Sequence, residues 1–318
     1  MKWIWLLLLR YLPFSQRHQG FFTSKNNKIV QAIPSLSPDP VLVFDVRDGI
    51  FNPGDKVILF RVIQRIKEQG INVLINKSCP LILSLNEGRE QLLLFNATEH
   101  LHAESVFISR DRVGLFEKNR FDHSIYLNLL GLSLSGIPVD QAIAEFIFNA
   151  IGISENITDK RTSFLADQMP SKASTSSVLT RQLSKSDFIV LNPFVGSGFH
   201  RVSAESFSEL IKVSLTIRND DQRILLCGSS DDVLPVDVDS SYIEDLRCQL
   251  DLRDYVTLIR SNHCVSTVSF DTLTVHLGQI FGKKSYVRFR KWWIPYYSRQ
   301  VMKSWIKHYQ TSGKIDLL

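Results

Sequence analysis

Residues 41–75 confine this chain to one class of fold. Val41 to Phe44 is an uninterrupted apolar run, the pattern of a strand buried on both faces. After the turn VRDGIFNPGD, Leu59, Val62, Ile63 and Ile66 recur at helical spacing, which predicts a helix over Lys56 to Gln69. Gly70 stops that helix, and Asn72 to Ile75 supplies a second strand. A strand, helix and strand in this order form a right-handed βαβ crossover, so the two strands pair in parallel. A parallel sheet in turn needs helices on both faces, and an α/β fold is expected.

The same alternation returns later in the chain. Weaker strands are expected at Leu92 to Phe95 and Ser105 to Ile108, and a helix at Val139 to Ile151. From Asn156 to Ser186 the composition shifts to Ser, Thr and Lys, with SKASTSS at its centre, and apolar periodicity is lost. Beyond it come a strand at Phe188 to Leu191, the turn NPFVGSGFHR, a helix near Ala204 to Ile217, a strand at Arg223 to Cys227 and a helix at Tyr242 to Leu250. Cys264 to Phe289 then reads strand, polar turn, helix, strand. Leu273, Leu277, Ile280 and Phe281 mark the helix, Asp271 stands at the expected N-cap, and Gly282 at the left-handed stop. A chain of 318 residues is long enough for two cores. The expected division is an amino-terminal segment over 1–34, a Rossmann-like domain over 35–155, a linker over 156–186 and a second Rossmann-like domain over 187–318, the two domains facing a cleft.

The ends of the chain differ from its middle. The opening MKWIWLLLLRYLPF is broken by Arg10 far short of the ~20 apolar residues that a spanning helix needs. No small-x-small cleavage site follows before Arg17 and His18, which disfavours a signal peptide. Trp3, Trp5, Arg10 and Tyr11 suit a segment lying in a membrane interface, the alternative being a short apolar helix packed on the protein. The net charge of +5 is concentrated in the tail RFRKWWIPYYSRQVMKSWIKHY. That tail suits an anionic membrane surface or a phosphorylated glycolipid, or equally a helix crossing back to the first domain with Trp292, Trp293 and Trp305 as core. Cys79, Cys227, Cys248 and Cys264 form no C-x-x-C pair, and reduced cysteines of a cytoplasmic protein are expected.

Chemistry concentrates in the turns. In open α/β sheets ligands bind outside the carboxyl ends of the strands, where the turns Asp45 to Asp55, Pro193 to Arg201, Gly228 to Asp232 and Ser269 to Thr272 all fall. A helix beginning there presents unpaired N–H groups and a positive dipole end to an anion. Thr272 and His276, four residues apart, share one side of such a helix.

Three of these turns resemble the heptosyltransferase-like glycosyltransferases of family 9, which extend bacterial lipopolysaccharide and have the two-domain GT-B fold. Gly54 and Asp55 in NPGDKVILF match the family's Gly-Asp at the head of its first helix. IVLNPFVGSG is similar to the strand entering Asn-Pro-Gly-x-Gly, and SFDTLTVHLGQIFGKK is similar to S-x-D-T-G-x-x-H-L except at Leu273. VDQAIAEFIFNAIGI resembles the segment that closes the family's first domain. The resemblance implies an inverting sugar transfer without metal or cofactor, from a nucleotide-diphosphate donor to a glycolipid or glycan acceptor. It gives Asp55 the role of base. Donor contacts fall to Ser197, Gly198, Arg201, Asp231, Asp232, Asp271, Thr272 and His276. Nucleic acid is not an expected partner. The expected location is the cytoplasm, with peripheral contact at the inner face of the cytoplasmic membrane.

Residue by residue, plainer roles compete. Asp55 suits a first-turn carboxylate that stabilises its helix, Ser197 and Gly198 an ordinary strand-to-helix turn, Arg201 a solvated charge, and Asp231 or Asp232 a helix cap. Asp45 and Asp48 are spaced wrongly for the D-x-D of haloacid dehalogenase-type phosphatases, and the first turn lacks G-x-G-x-x-G. The nearest rival is a polysaccharide pyruvyltransferase, which shares an early Gly-Asp and a late histidine. A non-catalytic relative that binds glycan or membrane is the other alternative, kept open by Leu273 in place of glycine and by the short turn between Gly198 and Arg201.

Overall fold

The computed structural model describes residues 41–46, 51–76, 79–86, 93–95, 106–110, 123–127, 138–153, 176–194, 202–229, 232, 234, 241–288 and 315–317. In chain order the first half contributes β1 (Val41–Phe44), α1 (Pro53–Glu68), β2 (Asn72–Asn76), α2 (Pro80–Asn86), β3 (Leu93–Phe95), β4 (Val106–Arg110), β5 (His123–Leu127) and α3 (Val139–Ala150). The second half contributes α4 (Ser177–Leu183), β6 (Phe188–Asn192), α5 (Ala204–Ile217), β7 (Arg223–Leu226) and β8 (Ile243–Asp245). It ends with α6 (Leu252–Arg260), β9 (Cys264–Phe270), α7 (Leu273–Ile280), β10 (Lys284–Arg288) and β11 (Ile315–Leu317).

Two sheets form, and every strand pairing in them is parallel. The first runs β3-β2-β1-β4-β5 and the second β11-β10-β9-β6-β7-β8. Both follow the doubly wound order, in which the chain starts in the middle, builds to one side and returns to build the other. Each sheet therefore has a point where the direction of winding reverses, between β1 and β4 in one and between β6 and β9 in the other.

Alternation along β6 shows how the layers are filled. Phe188 and Val190 belong to one apolar cluster, Ile189 and Leu191 to another, as the two faces of a strand require. The smaller cluster packs under α5 through Phe207 and Leu210. The larger one is continuous from Leu42 and Phe44 of β1, through Val57, Leu59 and Ile63 of α1, to Leu258 of α6 and Leu277 of α7. Burying each such side chain contributes roughly 1.5–3 kcal/mol. A polar bond reinforces this seam: buried Arg260 of α6 donates from Nη2 to the carbonyls of Ser84 and Leu85, 3.3 and 3.2 Å away at the end of α2. Its guanidinium also lies 5.1 Å from the Phe281 ring.

Helix α1 is buried along most of its first two turns, from Lys56 to Phe60. Pro53 opens it with a fixed φ, and Gly70 follows its end at φ +78°. Arg61 and Arg65 hold it to α3 through Asp140, at 3.1 and 3.7 Å, with the Asp140 side chain 1% exposed. Burial pulls the Arg61 pKa down, and the Asp140 carboxylate partly restores it.

Four expectations change. The stretch 242–250 is not a helix: Ile243–Asp245 pairs with β7 as an edge strand, and the helix begins at Leu252, capped by Asp251 Oδ1 accepting from the Asp254 N–H at 2.7 Å. The charged residues Glu244, Asp245 and Arg247 hid a strand only three residues long. Asp271 is not the N-cap of α7, since its N–H bonds to the Arg288 carbonyl at 3.3 Å and extends the strand geometry by one residue, leaving Thr272 as cap. Helix α1 starts at Pro53 rather than Lys56, which places Asp55 inside its first turn. Within 156–186, residues Ser177–Leu183 are helical, and Gln182 there donates to Glu244 of β8 at 2.6 Å. The amino-terminal segment and the tail over 289–314 lie outside the described residues, and among those described no helix is long and apolar enough to cross a membrane.

Candidate active site

The first turns of α1 and α7 face each other, although they follow strands of different sheets. The closest approach is at Gly54. A Cβ placed there would stand 2.9 Å from His276 Cδ2, 3.2 Å from Nε2 and 3.9 Å from the backbone nitrogen of Leu273. A side chain at position 54 would displace the imidazole, so glycine is what lets the helix starts converge. His276 is 6% exposed, wedged between the two helices, and Asp55 follows Gly54 at the half-buried edge of the same turn.

Neither helix start is capped in the usual way. Asn52 and Thr272 both adopt the extended N-cap backbone, yet neither side chain bonds the first turn. The Thr272 hydroxyl is buried and has no hydrogen-bond partner among the described residues. By contrast, α4, α5 and α6 are all capped by a side-chain oxygen, of Ser176, Ser203 and Asp251. Two positive dipole ends brought together repel, and no side chain caps the N–H groups at the start of either helix. An anion between them satisfies both, so this junction is a candidate anion site.

Leu273, which stands where the resembled family has glycine, turns its side chain onto the larger apolar cluster. Its backbone N–H remains at the helix start beside Gly54. One wall of the site is built at the second sheet's reversal point. Asn192 ends β6, and its Oδ1 accepts from the Phe194 N–H at 3.2 Å, fixing the Asn-Pro turn. Asn192 Nδ2 donates to the Tyr255 hydroxyl at 3.2 Å, and that hydroxyl is 2.6 Å from Thr274 Oγ1 in the first turn of α7. Tyr255 and Thr274 were not singled out in the sequence; a tyrosine on the apolar side of α6 was the available signal.

The remaining expected residues divide. Asp232 Oδ2 accepts from the Ser229 N–H at 2.6 Å and from Ser229 Oγ at 3.0 Å, closing the turn after β7. The Phe194 ring and this carboxylate both crowd Gly228, where a Cβ would be within 2.7 and 2.8 Å of them. Ser197, Gly198, Arg201 and Asp231 lie outside the described residues. No cluster of three His, Cys, Asp or Glu that could hold a metal occurs among the described residues.

No family model matches the chain, and no curated protein sequence matches it. Solved structures similar to it include the glycosyl transferase family 9 from Veillonella parvula DSM 2008, at 10% identity and TM-score 0.49 over 89% of this chain and 87% of that one. The E. coli heptosyltransferase WaaC with ADP is similar at 11% identity and TM-score 0.45 over 78% and 86%. The E. coli ADP-heptose lps heptosyltransferase II is similar at 12% identity and TM-score 0.40 over 88% and 90%. These similarities concern the course of the chain; the chemistry of the site stands on its own residues.

Proposed function

We propose that this chain is an inverting glycosyltransferase that moves a sugar from a nucleotide-diphosphate donor to a lipopolysaccharide or other surface glycan acceptor. The observation that carries the reading is the convergence of two uncapped helix starts on His276 beside Asp55. It fits a reaction in which a carboxylate and an anion-binding pole must face one another.

In this reading the donor diphosphate lies at the first turn of α7. The N–H groups there and the Thr272 hydroxyl accommodate charge that grows as the bond from the anomeric carbon to the diphosphate oxygen breaks. His276 adds a ring N–H from the same side. The acceptor hydroxyl attacks the anomeric carbon from the opposite face, and its proton passes to the Asp55 carboxylate. Asp271, with Ser197, Gly198, Arg201 and Asp231 from neighbouring turns, completes the proposed donor contacts, and Asp232 contributes through its second oxygen. Residues 35–155 form the acceptor side and 187–318 the donor side, with 156–186 between them. No metal is required, because helix starts and hydroxyls take its place. A location at the cytoplasmic membrane face is part of this reading, supported by the basic, aromatic sequence RFRKWWIPYYSRQVMKSWIKHY.

A thermal-stabilisation screen against nucleoside diphosphates tests donor binding. A ligand at one hundred times its Kd should add about 2.7 kcal/mol of stability. Asp55→Ala should retain that stabilisation while turnover of the matching nucleotide sugar falls by about a hundredfold or more. Full turnover in this variant would remove Asp55 as the base.

A further inference from the structure

The Tyr255 hydroxyl sits where the two halves of the donor-side wall meet. It belongs to α6, is buried, and touches the last residue of β6 and the second residue of α7, the helix that follows β9. Those strands are neighbours at the reversal point of the second sheet. The orientation of Asn192 is fixed independently, because its Oδ1 accepts the Phe194 N–H. Its amide nitrogen therefore faces Tyr255 as donor, and the Tyr255 and Thr274 hydroxyls share the next bond, in which either can donate. The result is a continuous hydrogen-bonded chain from the Phe194 N–H through Asn192 and Tyr255 to the second residue of α7. Burial pushes the Tyr255 phenol well above its ordinary pKa, so the hydroxyl stays protonated.

We propose that Tyr255 is a positioning residue for the donor: through Asn192 and Thr274 it sets the spacing between the Asn-Pro turn and the start of α7. This rests on the nucleotide-diphosphate reading above. Tyr255 does not touch the reacting atoms. It acts by tying the first turn of α7 to the end of β6, so that the N–H groups of that turn are held in one orientation toward the ligand. A phenylalanine would fill the same space but leave the Asn192 amide and the Thr274 hydroxyl without their shared partner.

The test is a double-mutant cycle on the full chain, read by calorimetric titration with the nucleoside diphosphate that best stabilises the wild type. Tyr255→Phe and Thr274→Val should each weaken binding about tenfold, and the double variant no more than either alone. Thr274→Ser, which keeps the hydroxyl, should bind as the wild type does. For the matching nucleotide sugar, KM should rise while kcat stays within about twofold. Phe148→Leu, in the core of α3 and far along the chain from the site, serves as the control for general destabilisation. Affinity in Tyr255→Phe unchanged, or no lower than in Phe148→Leu at equal loss of stability, overturns the inference while leaving the donor reading intact. Additive losses in the double variant overturn it too. A wild type that binds no nucleoside diphosphate removes the donor reading, and this inference with it.

Discussion

Gly54→Ala is the substitution that the geometry constrains most tightly. The added methyl would stand 2.9 Å from His276 Cδ2, whereas carbon atoms in contact prefer ~3.5–4.0 Å. One helix start must therefore retreat by about half an ångström, or the buried imidazole must leave its position. Overpacking of this kind costs roughly 1–3 kcal/mol. Alanine is the better helix former by roughly 0.5–1 kcal/mol, which works in the opposite direction. The net expectation is a loss of about 0–2.5 kcal/mol in denaturant unfolding. In a His276→Ala background the clash is gone, so the same substitution should be neutral or slightly stabilising, with a coupling of about 1–2 kcal/mol. Titration with nucleoside diphosphate should show Gly54→Ala weakened by about tenfold or more, since 1.4 kcal/mol suffices for that. Equal effects of Gly54→Ala in both backgrounds would refute the packing of α1 on His276.

Other substitutions test the supports of the site. Asp140→Ala leaves the largely enclosed Arg61 guanidinium without its buried carboxylate and should cost about 3 kcal/mol in urea unfolding, with Arg61→Met in the same chain recovering part of the loss. Gly278→Ala drives a methyl to 2.5 Å from Ser285 Oγ and 2.8 Å from Thr267 Oγ1, where α7 lies on the sheet, and should destabilise by about 1–3 kcal/mol in the same assay. Hydrogen bonds from Arg247 hold the Asp245 carboxyl below its ordinary 3.8, so the folded state binds fewer protons there than the unfolded chain. That contribution to stability is present above the unfolded value and lost as pH falls through the lower folded one. Melting temperatures followed downward from about pH 5 should consequently fall more steeply in the wild type than in Arg247→Met.

Elements with strong periodicity were readable from sequence because one force dominates each. The apolar runs of β1 and β6 and the spacing of Leu59, Val62, Ile63 and Ile66 specify burial on a strand or helix face, and α5 spans the residues expected for it. The failures occurred where local chemistry is overridden by neighbours. Asp271 is a better N-cap than Thr272 by propensity, but its N–H is drawn into the end of β9 by Arg288. Glu244 disfavours a strand until Gln182 and Arg223 arrive from elsewhere to pair with it, while Asp245 pairs with Arg247 two residues on. Asp55, Thr272 and His276 were legible as types at helix starts. The approach of Gly54 to His276 was expected only through the family resemblance and its two-domain cleft, because no local pattern relates the two sheets. Tyr255 was invisible for the same reason, its two partners being 63 and 19 residues away.

Backbone amide hydrogen exchange, followed with and without saturating nucleoside diphosphate, addresses the anion site most directly. Bound ligand should slow exchange at the N–H groups of Leu273, Thr274 and Val275 and of the first turn of α1, and the effect should vanish in Thr272→Val combined with His276→Ala. Slowed exchange confined to other turns, or no ligand-dependent change with any nucleoside diphosphate, would contradict a donor held between these two helix starts.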